Sequence, residues 1–523
     1  MTTVTESQAS NKTRAVVIGG GIAGLASAAL LAKDGYAVTL LEKQPDVGGR
    51  AGSLEVDGFR FDTGPSWYLM PEVFDHFFKL MGTSAAEQLD LVRLDPGYRV
   101  FFEGDAKPLE IRSDRDASIE LFESVEPGSG RKLAKYLDSA EDTYEIAKRR
   151  FLFTSFQSLG PLFRGDVLKR LPRLMRLLTQ SLHTFASRTV RDPRLQQVLG
   201  YPAVFLGSTP FKTPSMYHLM SHLDLADGVY YPMGGFTEVI SRIAAVAQAA
   251  GVEIRTNAEV KRIRVVNGHA VGVELNDGTE IDADVVVASA DLHHVETKLL
   301  KPAEQTYPES YWQKRVAGPG ALLLYLGVEG EVEALDHHNL LFVKDWRENF
   351  DAIFGAHPHI PEMASIYVCK PSGLDSSVAP EGTTNLFVLV PIPADPGIGS
   401  EAGVDLNAVG DKIIEQIASW TNTPDLASRI IVRRQASPAD FAADLNIWKG
   451  SALGPAHILK QSAFFRAGNV SKKVHGLYYA GSSSIPGIGL PMCLISAEAL
   501  LKRLRGDITT EPLAEPLSSS HSG

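Results

Sequence analysis

Between Ala15 and Ala32 no residue carries a charge, and the glycines Gly19, Gly20 and Gly21 fall in the middle of that run. Lys12 and Arg14 precede it, and Asp34-Gly35 closes it. A basic start, an apolar centre and small residues imitate a secretory leader, and the length approaches that of a membrane-crossing helix. A glycine triplet argues against both, because it breaks the helix where a leader or anchor needs one. The pattern predicts instead a β-branched strand over 15–18, a tight turn at the glycines and a helix over 22–33. A second strand over 37–41 then ends at Glu42.

Strand, glycine turn, helix and strand with an acidic end form a dinucleotide-binding fingerprint. Gly19 allows the turn, Gly21 lets the backbone approach a pyrophosphate, and Gly24 lets the helix lie close to the sheet. Ile22 and Ala23 open the helix, where free N–H groups and the positive dipole end attract phosphate. Glu42, eighteen residues after Gly24, is placed to accept from an adenosine ribose, with Lys43 beside it.

The 523 residues suffice for more than one domain, and the net charge of -11 argues against nucleic acid as a partner. Only two cysteines occur, Cys369 and Cys493. A disulfide framework is therefore not expected, and a reducing cytoplasm is the simplest setting. No later segment is long and apolar enough to span a bilayer.

A second glycine pair follows in "KQPDVGGRAGS" (43–53), and then "FRFDTGPSWYLMP" (59–71). An NAD enzyme has no need of a second glycine turn with an arginine here. With these elements the chain resembles the FAD-dependent family that includes amine oxidases and carotenoid desaturases. The resemblance implies FAD as cofactor, with Gly49 and Arg50 running beside it and Gly64, Pro65 and Ser66 in the next lining stretch. It also implies that the strand near Val260 holds the adenine. A third segment, 476–504, would bring Gly481 and Ser482 to the cofactor. There Gly489, Leu490, Pro491 and Met492 would form a helix start aimed at the flavin ring. Cys493 reads as a small buried residue. Many flavoproteins carry an acid after the C-terminal strand glycine; here Ser482 stands there, and carotenoid desaturases also tend to lack that acid.

The fold expected is α/β: a discontinuous Rossmann-like FAD-binding domain over 14–85, 228–295 and 470–506. An inserted α+β substrate domain occupies 86–227 and 296–469 and includes a helical membrane-facing region. Residues 1–13 and 507–523 read as disordered tails by composition.

Within the first insertion, 151–191 holds seven Lys/Arg and one acid, Asp166. Leu168, Leu171, Leu174, Met175, Leu178, Leu182 and Phe185 keep near-helical spacing, which suits either an anionic membrane surface or a solvated domain helix. The pairs His293-His294 and His337-His338 and the group His357-Pro358-His359 read as loop histidines with no cysteine nearby, so no metal is expected.

"GSTPFKTPSMYHLM" (207–220), "GVYYPMGG" (228–235) and "DSSVAPEGTTNLFVLVPIP" (375–393) narrow the resemblance to bacterial phytoene desaturases. So do "DLNIWKGSALGPAHILKQSAFFR" (444–466) and "AGSSSIPGIGLPMCLISAE" (480–498). The resemblance implies successive hydride transfer from a hydrophobic C40 carotenoid, phytoene, to the flavin, giving products such as lycopene. It implies reoxidation by oxygen or a quinone, and a cytoplasmic protein peripherally attached to the cell membrane. Asp166, with Lys169 three positions on, matches an aspartate of that family and is the candidate catalytic base; a local ion pair with Arg164 or Lys169 is the plainer reading. A carotenoid ketolase, a carotene isomerase, an amine oxidase and a flavin-free prenyl-lipid escort of the same fold remain alternatives.

Overall fold

The computed structural model describes residues 12–155, 157, 160–399 and 404–520. The N-terminal tail expected from composition lies, up to residue 11, outside the described residues.

A run of small and β-branched residues makes β1 (Arg14–Ile18) the centre of a five-stranded parallel sheet. The order is Leu477–Tyr479, Val285–Ala288, β1, β2 (Ala37–Leu41) and Glu253–Arg255. Between β1 and β2 lies α1 (Ile22–Lys33), buried on every side from Ile22 to Leu31. A helix apolar all round belongs in an interior; this one is wedged against the helices Gly235–Ala249 and Leu490–Leu504. Three stretches far apart in the chain thus close one sheet.

A seven-stranded mixed sheet forms the second body, with Gly320–Glu329 next to its edge strand Ile430–Ala436. Alternation sorts that strand's side chains. Leu322, Leu324 and Leu326 pack with Ile413, Ile414 and Ile417 of the helix Leu406–Trp420. Ala321, Leu323 and Tyr325 pack with Phe59 and Phe61 of the strand Phe59–Asp62. Gly327 has no alternative: an added Cβ would lie 2.7 Å from the Phe59 ring.

Two expectations need correction. The leucine stripe of 168–185 is not one helix. Gly165–Thr179 ends at Gln180, and Leu182–Thr189 restarts with Ser181 as its cap. Leu177 and Leu182 are buried, while Leu168, Leu171 and Met175 face outward. Arg170 and Arg173 instead turn toward Asp142, at 2.7 and 2.8 Å.

The C-terminal segment is also not a free tail. Buried Lys502 donates to the carbonyls of Phe153, Thr509 and Glu511 at 3.0, 2.8 and 2.8 Å. Leu513 N–H donates to Glu498 at 2.6 Å, His76 sits between Glu498 and Glu515, and Leu517 is buried. Ser520 reaches Asp34. Composition alone misses such anchors, because a few specific bonds outweigh a polar average. Among the described residues no helix is long and apolar enough to cross a membrane.

Candidate active site

The glycine turn behaves as its spacing predicts. Gly19 has φ +99°, and a Cβ there would touch Ala290 N at 3.0 Å. At Gly24 a Cβ would fall 1.9 Å from Gly19 O, so helix and turn come this close only without one. Gly21 precedes α1 and offers no side-chain cap, so the first-turn N–H groups, those of Ile22 and Ala23 included, have no helical acceptor. The second glycine turn lies against the first: Gly48 N–H donates to Gly20 O at 2.9 Å, and a Cβ on Gly49 would lie 3.3 Å from Gly21 Cα.

Glu42 is buried at the end of β2. Its carboxylate accepts from Gly20 N–H at 2.6 Å and from Gln44 N–H at 2.8 Å. Ala258 N–H donates to Glu42 O at 2.8 Å, which brings the strand beginning at Val260 alongside. Lys43 instead reaches outward, to Ala443 O at 3.1 Å.

From the far end of the chain, Gly481 (φ +119°) comes within 3.7 Å of the Ala23 side chain, measured from the position of an added Cβ. Its N–H donates to Ser496 Oγ at 3.1 Å. Gly489 opens the helix Leu490–Leu504 without a side-chain cap, with Pro491 in its first turn and Met492 partly buried. Gly64 is pressed to the second turn, since a Cβ there would lie 2.4 Å from Arg50 O.

Arg50 makes the decisive test of fit. Its Nη1 donates to Ser482 Oγ at 3.2 Å, while Nε and Nη2 are buried and have no partner. Ser289 Oγ, lining the same pocket with Asp291 and Ser483, is likewise unpartnered. Burial pulls the guanidinium below its usual pKa, opposed by Asp291 and then Cys493. A buried cation with free donors beside an uncapped helix start calls for an anionic, acceptor-rich group. A nucleotide pyrophosphate is such a group, and the residues present fit it.

Residues 22–499 match the family described as flavin containing amine oxidoreductase. The chain belongs to that family. It is similar to a carotenoid 3,4-desaturase of Haloarcula japonica, at 42% identity over 94% of this chain and 98% of the relative. It is similar to a zeta-carotene-forming phytoene desaturase of Myxococcus xanthus, at 34% identity over 94% and 93%. Two solved structures share the fold. An oxidoreductase from Methanosarcina mazei has a TM-score of 0.62 at 18% identity, over 94% of this chain and 100% of that one. Putrescine oxidase bound to putrescine has a TM-score of 0.60 at 14% identity, over 95% and 99%.

This flavin oxidoreductase therefore takes FAD. Three residues that no spacing rule singled out organise its closing loop. Arg466, buried, donates to the carbonyls of Ser484 (3.1 Å), Pro455 (3.3 Å), Gln461 (3.4 Å) and Ser482; burial brings its pKa down to about 10. His457 Nε2 accepts from Ile488 N–H at 3.2 Å, and its Nδ1 meets Tyr217 Oη at 3.0 Å. The motifs 207–220, 444–466 and 480–498 thus meet at one place. Sequence alone marks them only as shared strings. Cys493 is buried with its thiol pushed up to about 11, mainly by desolvation, which disfavours the thiolate.

Two expected site residues have their hydrogen-bond partners outside the Arg50 pocket. Ser66 Oγ bonds Tyr367 Oη at 2.6 Å and so faces the seven-stranded sheet. Asp166 accepts from Arg150 Nε at 2.9 Å, and Arg150 also holds Glu511. Burial works against it, yet Arg150 keeps this carboxyl below the usual range. Its partners belong to the helical insertion and the C-terminal segment, not to the loops around Arg50.

Proposed function

We propose that this FAD-dependent oxidoreductase desaturates phytoene, a linear C40 carotenoid, in successive rounds that give more conjugated carotenes such as lycopene. The observation that carries the reading is the near end-to-end similarity to carotenoid desaturases of archaeal and bacterial origin. Local chemistry supports it. Immediately past Ser66, Trp67 stacks on His338 with centroids 4.5 Å apart and packs against Tyr98, Tyr201, Phe205 and Tyr367. Such an aromatic interior suits a hydrocarbon, which offers no polar handle and is positioned by shape.

When bound, FAD supplies the hydride acceptor. The chain's own residues do the rest. The α1 start and Arg50 hold negative charge, Arg466 and His457 fix the closing loop, and the apolar interior excludes water. Oxygen or a membrane quinone is the proposed final electron acceptor.

A lipid surface is the proposed route of substrate entry. Leu168, Leu171 and Met175 of the helix Gly165–Thr179 are 46, 44 and 50% exposed, and Phe163 just before it is 70% exposed. Exposed Arg164, Lys169 and Arg176 surround them. An outward apolar face among cations fits shallow insertion among anionic headgroups.

A second reading is 3,4-desaturation of a carotenoid that is already conjugated, favoured by the 42% identity to the Haloarcula enzyme. Purified, FAD-loaded protein offered phytoene or lycopene in liposomes separates the two, with products read by chromatography and absorbance. Conversion of phytoene to coloured carotenes supports the first reading; conversion of lycopene alone supports the second. If neither is consumed by protein that carries flavin, both fail.

A further inference from the structure

A helix, Trp346–Phe354, separates His337 and His338 from Cys369 in sequence, yet the sheet joins them. His338 opens the strand His338–Phe342, and its direct antiparallel partner is Cys369, the last residue of Ile366–Cys369. Two premises of the sequence reading therefore fail: His338 is in a strand, and a cysteine stands beside it. One ligand atom from each of His337, His338 and Cys369 lies within 4.8 Å of the others, and all three residues are buried.

The nitrogens carry the argument. His337 is 5% exposed and His338 is 0% exposed. Both ring nitrogens of His337 and Nε2 of His338 have no hydrogen-bond partner. A buried imidazole ordinarily satisfies its N–H. Stacking on Trp67 and the edge contact between the two rings, at 4.6 Å, explain the packing but leave these three nitrogens without acceptors or donors.

The one nitrogen that is satisfied points the same way. His338 Nδ1 meets Tyr367 Oη at 2.7 Å, which orients the ring and leaves Nε2 without a partner. An outer hydrogen bond on the second nitrogen is the usual support of a ligating histidine.

We propose that His337, His338 and Cys369 bind a thiophilic closed-shell cation, Zn²⁺ or Cu⁺, at a site separate from the flavin. Two imidazole nitrogens and one thiolate are a soft ligand set. Binding replaces the thiol proton: the sulfur–hydrogen bond breaks, the proton leaves to solvent, and a metal–sulfur bond forms with no change of oxidation state. The metal ties together two neighbouring strands of the seven-stranded sheet, behind Trp67. The site shares no residue with the Arg50 pocket, and the proposal does not depend on the identity of the substrate.

The test uses the full-length protein with flavin bound. After growth in metal-supplemented medium, desalted protein is expected to hold about one equivalent of zinc or copper. X-ray absorption of that wild-type metal should show one sulfur and imidazole nitrogens, a readout that needs no variant. Titration with Co²⁺ should give a thiolate-to-cobalt band. Cys369→Ser and His337→Ala, judged folded by retained flavin, should lose both the metal and the band. Metal below one tenth of an equivalent after reconstitution with Zn²⁺ and with Cu⁺ overturns the proposal. So does stoichiometric metal with no sulfur ligand, or metal that survives in folded Cys369→Ser.

Discussion

Asp224 accepts hydrogen bonds from Tyr201 Oη at 2.6 Å and Tyr98 Oη at 3.1 Å through one oxygen; its other oxygen is buried without a partner. Desolvation outweighs the tyrosines and raises its pKa to about 7. The folded state therefore binds the proton more tightly than the unfolded chain, and this residue's contribution to stability falls as pH rises from about 4 to 7. Asp224→Asn should remove that slope. Urea unfolding at pH 8 should find the variant more stable than the parent by up to about 4 kcal/mol, with the gap closing toward pH 4; a pH-independent difference refutes the assignment. Asp166 is the opposite case, ionised and paired with Arg150. If it accepts the substrate proton, Asp166→Asn should cut turnover roughly 100-fold or more with flavin content unchanged. Unchanged turnover would leave it only its ion pair. At this scale the sequence was legible where backbone geometry dictates the residue, as at Gly19 and Gly24. It was opaque at His338 and Cys369, whose contact arises only when two strands pair.

The helix Gly165–Thr179 shows what periodicity reveals and what it hides. Its basic, leucine-rich character is plain in the letters. Which face turns inward is not, because Asp142, the residue that draws Arg170 and Arg173 toward the protein, lies on another helix. With those arginines held inward, Leu168, Leu171 and Met175 are left outside. Replacing all three by serine should weaken binding to anionic vesicles at least tenfold, given roughly 1 kcal/mol or more per apolar side chain removed from the interface. Co-sedimentation measures this, with flavin content as the folding control. Equal binding by the variant rules out this face as the lipid contact. The stripe's second half, Leu182 onward, belongs to the next helix because Ser181 caps a new start, a local signal that was present in the sequence but submerged by the leucine spacing.

Across the whole molecule, the C-terminal segment straps Lys502, His76 and Asp34. Ending the chain at residue 506 would strip Lys502 of the carbonyls of Thr509 and Glu511 and free His76 from Glu515. Stripping a buried cation of two of its three carbonyl acceptors costs up to about 3–5 kcal/mol, and denaturant unfolding of the shortened protein should register a loss of that order. Glu498 and Glu515 outweigh burial and raise the His76 pKa above its usual value near 6.5. The His76 contribution is therefore complete below that value and fades as pH climbs through the raised one. Shortening should accordingly cost most in mild acid; a cost that grows with pH would contradict the His76 tie. The parallel sheet and its glycine turns were legible because their signals are local. The strap and the loop cross-links of Arg466 were not, since both rest on contacts between distant parts of the chain.

The five-stranded sheet begins at Arg14 and receives its last strand only at Leu477–Tyr479. A ribosome therefore finishes nearly the entire polypeptide before the cradle has all its walls. A stop anywhere before Leu477 should therefore yield a colourless product, and pigment capture should mark chains that have passed that strand.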